Sequence, residues 1–251
     1  LAHAADMYRT RIARAARTID YEISIDETAT VTTPADHAYV ALELRRAGVR
    51  VSTLAPRFCG EFQKGIDYRG DPDRFRSELS AHVRIARRLG HRVSVHSGSD
   101  KFRIFPLVGE EARDGFHLKT AGTHWLEALR VLAAHEPTLF RESVRVAFEA
   151  LPDARRFYHI DGDAARIADP DACPDGDLPG YLDQDDARQV LHITYGHILT
   201  RPEGEGGTLG DRIHTALDRL EGEYAAGLGR HLERHLAGLG LGSGLGEELG
   251  A

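Results

Sequence analysis

Residues 92–102 read RVSVHSGSDKF: four strand-forming residues run straight into His96, Ser97, Gly98, Ser99, Asp100 and Lys101. Apolar alternation that breaks into a dense run of ligand-capable groups marks the lip of a site rather than an ordinary connection. A neutral imidazole at a strand end is a usual ligand for a divalent metal when a carboxylate from another strand faces it. Ser97 and Gly98 allow a tight turn, after which donors from Ser99, Asp100 and Lys101 can converge. The segment YEISIDET holds candidate carboxylates, because strand alternation puts Glu22, Ser24 and Asp26 on one face and leaves Glu27 at the end. A carboxylate turned into an enclosed interior is unfavourable unless it meets a cation or a proton-transfer partner, so an inward Glu22 or Asp26 is functional. The alternative is the solvent face of an edge strand, with Glu27 capping the next helix.

Two further segments carry chemistry. APRFCGEFQKGIDYRGD (55–71) holds Arg57, Glu61, Gln63, Lys64 and Asp67 among three glycines. It reads either as a structured substrate loop in which Arg57 and Lys64 hold a carboxylate or phosphate, or as a hydrated surface loop. HLKTAGTHW (117–125) places His117, Lys119 and Thr120 ahead of a helix. Lys119 is either a Schiff-base lysine or counter-charge for an anion, or a lysine snorkelling from a strand edge. His159, Asp161, His192, Tyr195 and His197 are weaker signals. No GxGxxG follows a strand, and GxxxxGK[ST], GxSxG and HExxH are all missing, which removes support for nicotinamide, nucleotide, hydrolase and zincin readings.

The elements that must position these groups alternate between strand-like and helix-like runs, the pattern of parallel sheets with crossover helices. Strands are expected at YEISI (21–25), VRVSTLA (49–55), RVSVH (92–96), FHLKT (116–120) and RFYHI (156–160). Helices are expected after Thr33-Pro34 up to Gly48, after Asp71-Pro72 up to Gly90, over Trp125–His135, over Pro137–Leu151, and as one helix over 209–236 with Leu217, Leu220, Tyr224 and Leu228 on one side. Polar residues gather after each strand, which favours a (β/α)8 TIM-barrel-like fold, incomplete here at about five βα units plus C-terminal helices. An open doubly wound sheet is the alternative. The expected division is a barrel portion over 1–200 and a C-terminal helix with a Gly/Leu-rich tail over 201–251. The last fifteen or so residues are low-complexity and expected to pack loosely.

Among 251 residues, 41% are hydrophobic and 28% charged, ordinary for a soluble globular protein. A formal charge of −7 argues against nucleic-acid binding. No window offers eighteen consecutive apolar residues, so membrane spanning is not expected. Cys59 and Cys173, the only 2 cysteines, cannot form a disulfide framework and fit a reducing cytoplasm. The 14 histidines are the compositional oddity. The chain starts at Leu1 inside an amphipathic run, which predicts a partial chain.

EISIDET, LAPRFCGEFQKGIDYRGD, VHSGSDKF, HLKTAGTHWLEALRV, YHI and LHITYG, in this order from about residue 20 to residue 200, resemble the bacterial tagaturonate/fructuronate epimerases of hexuronate catabolism, and specifically their carboxy-terminal half. The resemblance implies a metal-dependent interconversion of D-tagaturonate and D-fructuronate on a barrel-like fold. It also implies an Asp-His pair in the amino-terminal half, aspartate as proton acceptor and histidine as metal ligand, with no counterpart here. Carried over by motif, Glu22 is the proton donor and His96 a metal ligand, with Gln63 or Glu61 completing the sphere. Arg57, Lys64, Lys101 and Lys119 are candidates for the substrate carboxylate, and Asp67, Ser97, Asp100 and Thr120 for further substrate contacts. The two sugars differ at a hydroxyl-bearing carbon β to the ketone, where simple enolisation does not reach. With no dinucleotide fingerprint, retro-aldol cleavage and re-addition is preferred over transient oxidation. Zinc, manganese or nickel all suit imidazole plus oxygen ligands. The expected partner is a small-molecule sugar acid, with no nucleic acid and no membrane, and a homo-oligomer is compatible. The alternatives are another metal-dependent sugar-acid isomerase or aldolase, or an inactive partial chain.

Overall fold

The computed structural model describes residues 1–242. Two compact units divide the chain: one made of Leu1–Glu61, Tyr68–Lys119 and Ala237–Ala251, the other of Phe62–Asp67 and Thr120–Leu236.

The first unit is α/β. Helix α1 (Ala2–Met7) is followed by β1 (Glu22–Ile25), α2 (Pro34–Arg46), β2 (Thr53–Pro56), α3 (Pro72–Leu89), β3 (Arg92–Val95), α4 (Phe105–Glu111) and β4 (Phe116–Leu118). The four strands form one sheet in sequence order, all neighbours parallel. The signals at α2 act as expected. The Thr33 hydroxyl accepts from the Asp36 amide at 3.1 Å, while Asp36 accepts from the Thr33 amide at 2.9 Å, a reciprocal cap worth about 1 kcal/mol. Helix α3 begins at the Asp71 cap and stops at Gly90, whose φ of 80° is the left-handed conformation that glycine adopts without strain.

Register decides which residues share a face. Glu22 pairs with Thr53, Ser24 with Ala55 and Ser94 with His117, whereas Leu54 pairs with Val93 and Val95 with Leu118. With the side-chain period of two, one face of the sheet is polar and the other apolar. Leu54, Val93 and Val95 are fully buried on the apolar face, and α3 packs on β3.

Where five βα repeats were expected, the described residues hold four strands. RFYHI is not a strand: α6 (Pro137–Ala154) ends in a turn, and Phe157 is 73% exposed. The Asp161 amide just beyond donates to the Gln63 side chain at 3.1 Å rather than to a neighbouring strand. Alternation therefore stops after β4. The second unit is helical, with α5 (His124–His135), α6, α7 (Asp185–Ile193), α8 (Tyr195–Leu199), α9 (Leu209–Arg219) and most of α10 (Glu221–Gly238). Its core joins Leu126, Leu129, Phe140, Val144, Val190 and Ile213. The single helix expected over 209–236 is broken at Leu220, where φ −109° and ψ 27° leave helical geometry. Of the low-complexity run, Leu239 is buried, and Gly109 lies so close that a Cβ there would sit 2.1 Å from the Leu239 carbonyl oxygen. Close packing thus reaches further than composition implied; residues 243–251 lie outside the described residues.

Three of the histidines form a buried chain. His37 on α2 meets His82 on α3 through the two Nδ1 atoms at 2.8 Å and His91 through the two Nε2 atoms at 2.8 Å. A neutral imidazole has one donor and one acceptor nitrogen, so His37 can accept from one neighbour and donate to the other only while the rings stay neutral. Burial, then the charges of His82 and His91, hold the His37 pKa down at about 3; burial alone holds His91 at about 4 and is the leading cause of the lowered value of His82. In the unfolded chain each would protonate near 6.5.

These groups therefore stabilise the fold fully above pH 6.5, and that contribution is lost as pH falls towards 4, at about 1.4 kcal/mol per pH unit for each histidine that protonates only on unfolding. Urea unfolding between pH 7 and pH 4.5 should show stability dropping steeply with acid, and His37→Gln should flatten the slope; equal slopes for both proteins would show that the chain of rings is not what titrates.

Candidate active site

The polar face of the sheet carries the expected acid and imidazole together. Glu22 at the start of β1 and His96 just beyond β3 come from strands that are not neighbours, yet Glu22 Oε1 lies 2.6 Å from His96 Nε2. The other carboxylate oxygen, Oε2, lies 2.6 Å from His117 Nδ1 and accepts from the Thr53 hydroxyl at 2.7 Å. On the far side of the His96 ring, Nδ1 lies 3.1 Å from Asp26 Oδ1, and Asp26 also accepts from Ser24. Ser94 Oγ is 3.0 Å from His117 Nδ1. The result is an alternating row of acid and imidazole: Asp26, His96, Glu22, His117.

The electrostatics follow from partial burial. Desolvation alone would raise the carboxyl of Glu22, but hydrogen bonds from Thr53, His96, His117 and Ser94 outweigh it and hold it at about 2. Asp26 is likewise pushed up by burial, yet its bonds with His96 and Ser24 and the His96 charge hold it at about 2. Burial disfavours the His96 cation, Asp26 and Glu22 favour it more strongly, and Lys119 opposes them; the net shift is upward. The proton of this group therefore resides on imidazole and not on carboxylate. Exposed pairs such as Arg76 with Glu110 and Glu111 are screened by water and contribute little. The half-buried row matters more, because removing one member leaves a desolvated charge without its partner.

The loop after β3 is as tight as its composition implied, by a different route. The left-handed residues are Ser97 (φ 50°) and Asp100 (φ 57°), not Gly98. Gly98 is needed for close approach, since a Cβ there would sit 2.4 Å from Leu118 Cδ1. Asp100 and Lys101 are buried, and Lys101 Nζ donates to the Ser99 carbonyl at 3.0 Å. Lys119 is exposed, and its amide extends the ladder to the Val95 carbonyl at 3.2 Å. Arg57 is half-buried, bonding through its side chain to the Thr28 carbonyl and through its amide to Thr32 Oγ1 at 2.9 Å. Glu61 is exposed and joins Arg69 through backbone hydrogen bonds.

The remaining candidates belong to the second unit. Gln63 is buried there: its Nε2 donates to Asp161 Oδ2 at 2.9 Å, and its Oε1 accepts from Gln189 Nε2 at 2.7 Å and from the Asp161 amide. Lys64, Asp67 and Thr120 are half-buried in this unit. On α10, His231 and His235 are buried one turn apart, a spacing that lets two imidazoles share one divalent ion. His231 Nδ1 is 3.5 Å from Glu127 Oε1, and its Nε2 is 3.0 Å from Thr123 Oγ1.

As a cation site, the row in the first unit offers the nitrogen and oxygen donors that zinc, manganese or nickel accept. Its geometry supplies two converging atoms, His96 Nε2 and Glu22 Oε1, because Asp26 meets the other nitrogen of the ring. A catalytic ion ordinarily takes three protein ligands, so this row holds such an ion only with a further ligand from outside it. Sequence reasoning singled out Glu22 and His96, noted Asp26, and did not choose His117, Thr53 or Ser94. The missing signal was register: only strand pairing shows that Thr53 and His117 point the same way as Glu22.

Linkage follows with opposite signs for the two kinds of group. The Glu22 and Asp26 contribution to stability is present above about pH 4.5 and lost as pH falls towards 2; the His96 contribution is present below about 6.5 and lost as pH rises past its raised value. In an NMR titration, Asp26→Asn and Glu22→Gln should each move the His96 pKa downward. A His96 pKa that stays put in both variants would show that neither carboxylate faces the ring.

The family model described as UxaE, tagaturonate epimerase, matches residues 1–239. A tagaturonate/fructuronate epimerase of Thermotoga maritima is 40% identical over 218 residues, covering 86% of this chain and 44% of that protein. The native crystal structure of fructuronate-tagaturonate epimerase UxaE from Cohnella laeviribosi aligns with a TM-score of 0.91 at 43% identity over 95% of this chain and 49% of that one. Its complex with one glycerol gives 0.90 at 44% identity over the same shares. The chain thus spans about half the length of these relatives. With a match that runs through β1 to β4 and on to Leu239, the chain belongs to the UxaE tagaturonate epimerase family.

Proposed function

We propose that this chain contributes proton-transfer and metal-holding groups to an epimerase that interconverts D-tagaturonate and D-fructuronate. The observation that carries the reading is the 2.6 Å approach of Glu22 and His96 from two non-adjacent strands of a parallel sheet. Support for a barrel comes from the same sheet, whose one face is apolar under helices while the other carries Glu22, Thr53, Ser94 and His117, as a lumen would. The division into a barrel portion over 1–200 and a C-terminal portion is part of this reading, as is a cytoplasmic enzyme acting on a sugar acid. Among the described residues no helix is long and apolar enough to cross a membrane.

The reaction inverts a carbon that bears a hydroxyl β to the ketone. Loss of the hydroxyl proton lets the bond between the α and β carbons break; its electron pair becomes the enediolate, and the β carbon becomes an aldehyde. Rotation of the aldehyde presents its other face, the carbon–carbon bond re-forms, and the new alkoxide takes a proton. Glu22 is proposed as the group through which that proton passes: it is ionised at rest, with the proton of the row on the imidazole bonded to it, and Thr53 holds the Glu22 carboxylate in place through its hydroxyl. His96 would hold a divalent ion through Nε2, kept in that orientation by Asp26 at Nδ1. Such an ion, when bound, supplies a Lewis acid for the enediolate charge. Arg57, Lys64, Lys101 and Lys119 remain candidates for the substrate carboxylate, and Asp67, Ser97, Asp100 and Thr120 for further substrate contacts; Gln63 or Glu61 is proposed to complete the metal sphere.

Incubating the purified protein with tagaturonate and reading the products by NMR tests this. Fructuronate alone supports epimerisation, and released three-carbon fragments would point to an aldolase instead. Glu22→Gln should lower turnover by about 10²- to 10⁴-fold, and His96→Ala should lose stoichiometric divalent metal. Full turnover in metal-stripped protein would overturn metal dependence.

A further inference from the structure

Three arginines gather where the sheet of the first unit begins. A cleft of about 340 Å³ opens at the amino-terminal ends of β2 and β3, lined by Arg50, Arg87, Arg92, Asp20 and Asp114. Its floor is apolar, with the buried Val83 from α3 and Val93 from β3. His96 lies at the other end of β3, roughly 13 Å along the strand from Arg92. The charges in the cleft are unevenly matched. Arg87 is engaged: its Nε lies 2.7 Å from Asp114 Oδ2, and its Nη2 donates to the Glu111 carbonyl at 3.3 Å. Arg92 meets Asp20 only at 4.0 Å, and the Arg50 side chain has no hydrogen bond or ion pair among the described residues. A chain with a formal charge of −7 thus keeps two loosely held guanidinium groups at one concavity. Gly115 makes room for one of them. Its φ is 124°, and a Cβ there would sit 3.0 Å from Arg92 Cδ, so glycine lets the Arg92 stem lie against the backbone at the cleft wall.

We propose that this cleft binds a small polyhydroxylated anion, a sugar phosphate or a sugar acid, with its charged group between Arg50 and Arg92. Guanidinium presents a planar fork of donors that phosphate and carboxylate both accept. Asp20 and Asp114, acceptors only when ionised, take hydrogen bonds from the ligand hydroxyls, and the apolar floor takes its carbon face. The volume lies within the range of small-molecule sites. This site stands whether or not Glu22 and His96 act on tagaturonate.

Isothermal titration calorimetry of the whole chain with glucose 6-phosphate, glucuronate, inorganic phosphate and glucose tests it. Glucose 6-phosphate or glucuronate should bind saturably and at least about ten-fold more tightly than glucose, and the tighter of the two names the anionic group. Arg50→Gln and Arg92→Gln should each weaken that binding at least about ten-fold, while Arg45→Gln, on the exposed side of α2, should leave it unchanged. Thermal unfolding of Arg50→Gln should match the wild type, because the side chain bonds nothing in the described fold. Binding that survives both cleft substitutions belongs elsewhere on the chain, such as the polar face that carries Glu22, and overturns the cleft site. Inorganic phosphate bound as tightly as glucose 6-phosphate overturns the part assigned to Asp20 and Asp114. Glucose bound as tightly as either anion, or no binding by any of the four, overturns the proposal outright.

Discussion

A charge-assisted hydrogen bond between Glu22 and His96 spans the width of β2 and ties the first strand of the sheet to the end of the third. It exists only because the strands are parallel and in a register that turns Glu22, Thr53, Ser94 and His117 to one face. A slip by one residue in any of these pairs would send the polar set into the apolar layer under α3 and bring Leu54 or Val93 to the polar face. The apolar layer and the polar row therefore depend on each other: burial of Leu54, Val93 and Val95 sets the register, and the register assembles the acid and the imidazole.

Partial burial gives the row its character. In water, carboxylates and imidazoles at these distances would interact weakly; fully buried, desolvation would drive them neutral. Here the hydrogen bonds outweigh desolvation, so that Glu22 and Asp26 stay ionised and His96 keeps a proton. The His37, His82 and His91 chain shows the opposite balance in the same unit. With no carboxylate bonded to any of the three rings among the described residues, burial wins and the rings stay neutral. The same side-chain type thus serves as structural filler among helices and as a hydrogen-bonding partner of carboxylates at the strand ends, according to what faces it.

Much of this was legible in the residues. Thr33-Pro34 and Asp71-Pro72 start helices, Gly48 and Gly90 lie past their ends, and four runs with strand-like alternation became strands. Glu22 and His96 stood out because a carboxylate in a strand and a histidine at a strand end are residue types with few structural reasons to be there. RFYHI misled because its aromatic and β-branched residues resemble a strand, while its first amides, of Arg156 and Phe157, are claimed by the turn after α6 and the next amide beyond it, of Asp161, by the Gln63 side chain. Gln63 itself, buried with Asp161 and Gln189, could not have been placed from composition, because its partners lie about a hundred residues further along the chain.

By itself the sequence determined the local elements, the identity of the acid and imidazole groups, and the absence of long apolar helices, because caps, periodicity and residue chemistry act over a few neighbours. Tertiary structure alone decided that Thr53 and His117 share Glu22, that Asp26 faces the far nitrogen of His96, and that His37 joins two other histidines. These facts depend on strand register and helix docking, which are set by the summed burial of many side chains and leave no local mark on the residues they bring together.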